Sequence, residues 1–552
     1  MRTHRPSSPA QLTLNDVTKC YGDRIVLHDV SLTIRPGEKA AVVGDNGSGK
    51  STLLRLIAGV ERPDGGDLTV EAPGGLAYLA QTLGLPPGAT VQDAIDHALA
   101  ELRALEAEMA AAEERMAALS AEELAAYGAL RAEFEARGGY GADTRVDIAL
   151  HGLGLPGLER GRRLDELSGG ERSRLALAAT LASGPELLLL DEPTNDLDDR
   201  ATAWLEDRLR RHSGTVVVVT HDRTFLEAVA HTVLEVDDAA HTVHRYGNGY
   251  AGYLSAKAAA RARWEQEYED WLTEIDRQRR LSRTAGAQLA TIGKRVALSN
   301  GGSGAARPRA TSTGTSHKVR NANERLRRLH DEPVPRPPDP LHFSRAVRTT
   351  DDGELAQGPA VELRDVVVGD RLRVDDLRLA PGERLLVTGA NGAGKTTLLR
   401  VIAGELPPGR GSVTRPRAVG HLRQLETAGL PGQTVLEAFA HGRPGLPEEY
   451  EEELLALGLF RPEALTASVD TLSTGQRRRL ALARLVVRPV DLLLLDEPTN
   501  HLSPVLVEEV ERALADYAGT LVVVSHDRRL RASFRGTRLE LQAGRVLIPQ
   551  PA

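Results

Sequence analysis

Two segments of the chain, GDNGSGKST at 44–52 and GANGAGKTT at 389–397, repeat one spacing of glycines, a lysine and hydroxyl residues. Gly44, Gly47 and Gly49 in the first, and Gly389, Gly392 and Gly394 in the second, let backbone amides wrap a phosphate chain, with Asn46 and Asn391 in the bend. Lys50 and Lys395 can then reach the β and γ oxygens. Ser51 and Thr396, followed by Thr52 and Thr397, offer hydroxyls to a divalent cation. The flanks fit: AAVVG and LLVTG read as short apolar strands entering each loop, and STLLRLIAG and TTLLRVIAG as helices leaving it. One such motif arises by chance in roughly 2% of chains of this length at average composition. Further along each copy, an LLLL run ends in Asp191-Glu192 or Asp496-Glu497. A buried strand with this ending delivers two carboxylates to the edge of a sheet where ligands bind. One can hold Mg²⁺, usually through water, and the next can orient or deprotonate an attacking water. Such acids could instead form a structural ion pair, but the paired phosphate loops weigh against it.

Chance does not explain the motifs downstream of the two loops. LSGGERSRLALA (167–178) recurs as LSTGQRRRLALA (472–483), LLLLDEPTN (187–195) recurs at 492–500, and VVVVTHDR (216–223) recurs as LVVVSHDR (521–528). Ser168 to Asp191 and Ser473 to Asp496 both span 23 residues, and each aspartate precedes its histidine, His221 or His526, by 30. The first copy carries about 40 extra residues, because Gln81 to Ser168 spans 87 positions and Gln424 to Ser473 only 49.

The elements that must position these residues read as α/β units built twice. The extra segment, about 96–140, reads as a helical hairpin. Leu102, Leu105, Met109, Ala112, Met116 and Leu119 form one apolar stripe, and Ser120 to Glu123 forms a capping box that starts a second helix ending near Gly138-Gly139. After YGNGYAGYL (246–254), read as a turn-rich return to the sheet, Trp264, Tyr268, Trp271 and Ile275 mark one face of a new helix. Val319, Ala322, Leu326 and Leu329 mark a second, from about 317 to 330. The intervening 284–316 reads as a mobile tip rich in Gly, Ser, Thr and Ala, and EPVPRPPDP (332–340) as a stiff spacer.

At 552 residues the chain needs several cores. Its one cysteine, Cys20, excludes a disulfide framework and any zinc site built from several cysteines. No apolar run is long enough to span a bilayer and the N-terminus lacks a signal-peptide core, so the expectation is a soluble cytoplasmic protein without stable membrane insertion. Net charge is −8, yet the run from Arg277 to Asn323 holds ten Lys or Arg and no Asp or Glu. A merely solvated helix face normally mixes signs, so this run points to a nucleic-acid partner.

LSGGE and LSTGQ, taken with the loops and acids around them, resemble the signature motif of ATP-binding-cassette ATPases, and the resemblance covers both halves of the chain. It implies two cassettes closing head to tail, with each ATP held between one phosphate loop and the opposite signature. Site one would use Lys50, Ser51, Gln81, Asp191, Glu192 and His221 with Ser473, Thr474, Gly475 and Gln476. Site two would use Lys395, Thr396, Gln424, Asp496, Glu497 and His526 with Ser168, Gly169, Gly170 and Glu171. In each, Asp and Gln would join the loop hydroxyl around Mg²⁺, and Glu and His would be catalytic. Tyr21 stands where the family places an aromatic against adenine, and the second copy offers none. The family commonly reads HLD after DEPTN; here the chain has Asp196-Leu197-Asp198 and then His501-Leu502-Ser503, so the second copy departs at Ser503.

Tandem cassettes with a hairpin arm in the first and a basic linker between them resemble the ABC-F ATPases, and most of all the actinomycete members conferring resistance to macrolides, lincosamides or related drugs. The resemblance implies a first cassette at 11–254 after a disordered 1–10, a helical-hairpin linker at 255–340, and a second cassette at 359–548. It implies a monomer that binds the ribosome in its ATP-closed state, contacts large-subunit rRNA and P-site tRNA, and displaces a bound antibiotic. Arg295, Arg307, Leu289, Ile292 and Val296 are the candidate contacts at the linker tip. A housekeeping translation factor of the same family and the ATPase subunit of a drug exporter are the rival readings. A DNA-repair ATPase of the excision type fails because one cysteine cannot build its zinc modules.

Overall fold

Short leucine and valine runs with no polar break suit strands covered on both faces, and the computed structural model buries LLLLD (187–191), TVVVV (215–219) and their counterparts along their whole length. It describes residues 11–22, 24–79, 85–86, 88–238, 240–298, 306–344, 359–390, 392–424, 429–500 and 502–550, without the side chains of 11, 285–286, 288–298, 306–316, 318 and 548–550. The first cassette has strands β1 (Gln11–Tyr21), β2 (Arg24–Ile34), β3 (Lys39–Gly44), β4 (Gly65–Glu71), β5 (Leu76–Leu79), β6 (Leu187–Asp191), β7 (Thr215–Val219), β8 (Thr232–Asp237) and β9 (Thr242–Tyr246). An antiparallel sheet runs β2-β1-β4, and a six-stranded sheet runs β5-β6-β7-β3-β8-β9, parallel except for the β8-β9 pair.

The second cassette has β10 (Val361–Val368), β11 (Leu372–Leu379), β12 (Arg384–Thr388), β13 (Arg410–Thr414), β14 (Val419–Leu422), β15 (Leu492–Asp496), β16 (Thr520–Val524), β17 (Thr537–Gln542) and β18 (Arg545–Gln550). Its order, β13-β10-β11-β18-β17-β12-β16-β15-β14, contains the same core sequence of strands, with the antiparallel part joined through Arg373 and Arg545. In both cassettes the strand ending in the acid pair lies beside the strand entering the histidine loop, which lies beside the strand entering the phosphate loop. Three adjacent strands therefore bring these groups to one sheet edge, where open α/β sheets bind ligands.

The arm is a hairpin of helices Ala100–Glu113 and Ala121–Ala136. The Ser120 hydroxyl accepts from Glu123 N, and the Glu123 carboxylate accepts from Ser120 N at 2.7 Å. The expected apolar stripe is buried at Leu102 and Met109, but Met116, near the turn, is 39% exposed.

By compactness the chain divides into two units: one holding both cassettes (Met1–Leu254, Leu341–Pro447 and Glu463–Ala552), the other comprising Ser255–Pro340 with Glu448–Pro462. The second unit contains most of helix Gly249–Leu298 and all of helix Ala306–Asp331. Its seam is held by aromatic donors: Trp264 Nε1 donates to Pro335 O at 2.9 Å and Trp271 Nε1 to Leu329 O at 3.0 Å.

Two expectations need correction. The segment 249–254 is helical rather than a return to the sheet, because Tyr250 and Tyr253 turn inward on its first turns and Tyr253 donates to Glu235 at 2.9 Å. The expected tip is also largely helical, the backbone running as helix to Leu298 and again from Ala306. Pro308 falls in the first turn of the second helix, where its missing N–H costs nothing. Leu289, Ile292, Arg295, Val296 and Arg307 lie on these helices, with side chains outside the described residues.

Candidate nucleotide-binding and catalytic site

Each phosphate loop turns into its helix through a glycine with left-handed backbone, Gly49 at φ 106° and Gly394 at φ 100°. A side chain there would be strained and crowded: a Cβ on Gly394 would come within 2.7 Å of Arg371 O. Lys50 Nζ donates to Gly44 O (2.9 Å) and Asp45 O (2.8 Å), and Lys395 Nζ to Gly389 O (2.7 Å) and Ala390 O (3.0 Å). Both ammonium pKa values are lowered by burial, against the pull of the neighbouring acids. The two loops, with Ser51, Thr52, Thr396, Thr397 and Gln424, line one cleft of about 2280 Å³. Gln81 and Asn391 lie outside the described residues.

The acid pairs face the same cleft. Glu192 and Glu497 have left-handed backbone, φ 49° and 51°, a conformation uncommon for a residue with a Cβ. It is held by Glu192 N donating to Val219 O and Glu497 N to Val524 O, both at 2.9 Å. Burial pushes the Glu497 carboxyl up to about 7, and raises Glu192 as well. His221 Nε2 lies 3.2 Å from Glu192 Oε1, and His526 Nε2 lies 3.6 Å from Glu497 Oε1, with His526 N donating to Glu497 Oε2 at 3.0 Å. Both Asp191 carboxylate oxygens and Asp496 Oδ2 are buried without a hydrogen-bond partner among the described residues. Such carboxylates, lining the cleft with the loop hydroxyls, make an oxygen donor set of the kind Mg²⁺ prefers.

The signature serines are helix N-caps. Ser168 accepts from Glu171 N at the start of helix Gly169–Ala182, and Ser473 from Gln476 N at the start of Thr474–Val486, and in each the serine N–H donates back to the side chain of that fourth residue. Free amides and the helix dipole at these ends suit an anion. The S-x-x-[EQ] pattern of both motifs could have been read as a capping box from the sequence. The two signatures differ in surroundings. Ser473 comes up to the first phosphate loop: a Cβ on Gly47 would lie 3.5 Å from Ser473 Cβ, whereas one on Gly392 would meet nothing within 4 Å. Ser473 is half-buried and Gly475 buried, while Ser168 and Gly169 are exposed.

Asp45, Arg478 and Arg479 escaped the sequence reading, whereas Tyr21 was expected. Arg479 Nη1 donates across the cassettes to Asp45 Oδ2 at 2.8 Å. The equivalent positions are Arg174 and Ala390, so no such pair can form on the other side. Arg478, 3% exposed, donates to the carbonyls of Asp496 (2.8 Å) and Glu497 (2.7 Å), bracing the strained glutamate; its counterpart is Ser173. Tyr21, 44% exposed at the end of β1, accepts from Arg55 at 3.3 Å and donates to Glu61, so its ring is held in place on the cleft. Val368 ends β10 in the matching hairpin.

A family model described as ABC transporter matches residues 27–195 and 372–500. The chain is 60% identical over 547 residues to the tylosin resistance ATP-binding protein TlrC of Streptomyces fradiae, covering 98% of this chain and 99% of that one. It is 33% identical over 535 residues to the energy-dependent translational throttle protein EttA of Haemophilus influenzae, covering 92% and 87%. Among solved structures it resembles the archaeal ribosome recycling factor aABCE1, crystallised with the ribosomal stalk protein aP1, at a TM-score of 0.53 and 21% identity over 97% of this chain and 90% of that one. That last likeness is one of fold.

Proposed function

Because the chain belongs to the ABC transporter family, as an ATPase of its ABC-F group, we propose that it protects the ribosome from a macrolide- or lincosamide-type antibiotic, binding in its ATP-closed state and displacing the drug. The observation that carries this reading is the likeness, along 98% of the chain, to a protein named for tylosin resistance. Likeness to a protein named for throttling translation supports the ribosome as partner. The acid-free run 277–323 supplies positive charge for rRNA and P-site tRNA. The working segments are cassettes at 11–254 and 359–548 and the linker at 255–340, in a cytoplasmic monomer whose cassettes pair with each other.

Each ATP lies between one phosphate loop and the opposite signature. Lys50 or Lys395 neutralises β and γ oxygens, and the signature helix N-terminus, Ser473-Gly475 or Ser168-Gly170, closes on the γ-phosphate. Ser51, Asp191 and Gln81 would hold Mg²⁺ in site one, and Thr396, Asp496 and Gln424 in site two, where it would supply neutralising charge to the phosphates. Glu192 or Glu497 orients the attacking water and takes its proton, with His221 or His526 beside it. Tyr21 stacks on adenine in site one. ATP favours the closed form because only there do both cassettes touch it; hydrolysis reopens the pair and releases the ribosome.

The deciding experiment is co-sedimentation of the Glu192→Gln/Glu497→Gln protein with 70S ribosomes, with and without ATP, followed by drug rescue with the wild-type protein in membrane-free translation. ATP-dependent pelleting with rescue of tylosin-inhibited synthesis is expected. Pelleting without rescue would favour a housekeeping translation factor, and no pelleting with ATP binding intact would favour an exporter subunit.

A further inference from the structure

The two histidine loops are tied together by an exchange of arginines. Arg223 follows His221 and Asp222 in the first cassette and is 1% exposed. Its guanidinium donates to Glu508 (3.2 Å), Glu511 (3.0 Å) and Asp527 (3.0 Å), all in the second cassette. The offset that carries Asp191 to Asp496 also carries Arg223 to Arg528, Glu206 to Glu511 and Asp222 to Asp527. Arg528 makes the reciprocal bonds, to Glu206 and, at 3.0 Å, to Asp222. The same exchange is thus built twice about the pseudo-two-fold relation of the repeat.

Each aspartate in the exchange has two duties. Asp222 accepts from Phe225 N at 3.0 Å, capping its own helix, while receiving Arg528. Asp527 accepts from Arg529 N (2.9 Å) and Leu530 N (3.0 Å) while receiving Arg223. Each is the immediate neighbour of a candidate catalytic histidine. Around them Arg529 donates to Glu227 at 2.8 Å and lies 3.1 Å from Glu508, and Arg531 grips Asp199 through both carboxylate oxygens. Parting one buried guanidinium from its acids leaves uncompensated charge on both sides, so neither loop can shift far while the other stays.

We propose that Arg223 and Arg528 are reciprocal positioning residues: through Asp527 and Asp222 each holds the histidine loop of the opposite cassette, so that the state of one ATP site sets the histidine of the other. The proposal rests on the reading of His221 and His526 as parts of two ATP sites.

The test uses the full-length protein and steady-state ATPase curves. Wild type should give a Hill coefficient above 1, and Glu192→Gln or Glu497→Gln should remove more than half the activity, because the intact site loses its partner. Arg223→Gln and Arg528→Gln should each bring the Hill coefficient to 1 and lower kcat at least about fivefold while half-saturation moves less than about twofold. Arg223→Lys and Arg528→Lys should recover part of both. Should the glutamine variants not fold, Asp222→Asn and Asp527→Asn keep the helix cap and weaken only the ion pair. A wild-type Hill coefficient of 1 with each glutamate variant losing only its own share would overturn the proposal. So would arginine variants that lower thermal stability but leave the Hill coefficient and the kcat to half-saturation split unchanged. Glutamate variants that hydrolyse ATP normally would instead overturn the underlying site assignment.

Discussion

Asp45→Ala should weaken ATP-driven closure mainly at site one. Asp45 Oδ2 lies 2.8 Å from Arg479 Nη1, with the side chains 21% and 19% exposed. At an effective dielectric of about 20, two unit charges at that separation attract by roughly 6 kcal/mol. Desolvation and side-chain ordering cancel most of this, and hydrogen bonds between charged groups net about 1.5–3 kcal/mol. Partial exposure puts the pair at the lower end, and about 1.5 kcal/mol corresponds to a roughly tenfold change in an equilibrium. The assay is ATP hydrolysis against ATP concentration in two backgrounds: Glu497→Gln, which leaves site one to turn over, and Glu192→Gln, which leaves site two. Half-saturation should rise about tenfold in the first and less than about threefold in the second, the residue being what passes between coupled sites. Arg479→Met added to Asp45→Ala should cost little more, since the pair is already broken. Conversely, Ala390→Asp puts a carboxylate on the cleft that Arg174 also lines and should lower half-saturation at site two. Equal effects in both backgrounds, or full additivity with Arg479→Met, would refute the idea that this pair latches site one.

Tyr21→Ala should raise half-saturation at site one about fivefold, the loss of about 1 kcal/mol of stacking, and at site two by less than about twofold; equal effects at both sites would remove Tyr21 from the base contact. Burial, with Lys39 and Arg208 nearby, holds His212 at about 4. Its folded value is therefore depressed, so its contribution is present above the ordinary 6.5 and is lost as pH falls from there towards 4, at most about 3 kcal/mol. Urea unfolding of His212→Asn should accordingly lose less stability than wild type between pH 7 and pH 4.5, and parallel pH curves would contradict this. Neutralising Arg295 and Arg307 together should make the salt dependence of ribosome binding shallower by roughly 1.5–2 in log–log slope; an unchanged slope would show that those charges touch no phosphate.

What the sequence made legible is what depends on short spans of chain. The phosphate loops, the acid pairs and the capping box at Ser120 are set by neighbours a few positions away, and three adjacent strands suffice to assemble them. The helical character of the linker tip was not legible, because Gly, Ser and Thr argue against helix locally, although the backbone is helical through Gly249–Leu298 and Ala306–Asp331. Arg479 and Asp45 are separated by 434 positions, and no periodicity announces such a pair. Its trace was nonetheless visible, because a duplicated chain carries its own control. Where both copies agree, as at Arg223 and Arg528, the shared residue serves something both sites need. Where they differ, the difference recurs around the sites: Asp45 against Ala390, Tyr21 against Val368, Ser173 against Arg478. At Asp198 the carboxylate caps the next helix through Ala201 N at 2.8 Å, whereas Ser503 makes no such bond and is followed by Pro504. Asp45 sits in the first phosphate loop and Tyr21 belongs to the same cassette, so the substitutions tested above are expected to read more strongly at site one than at site two.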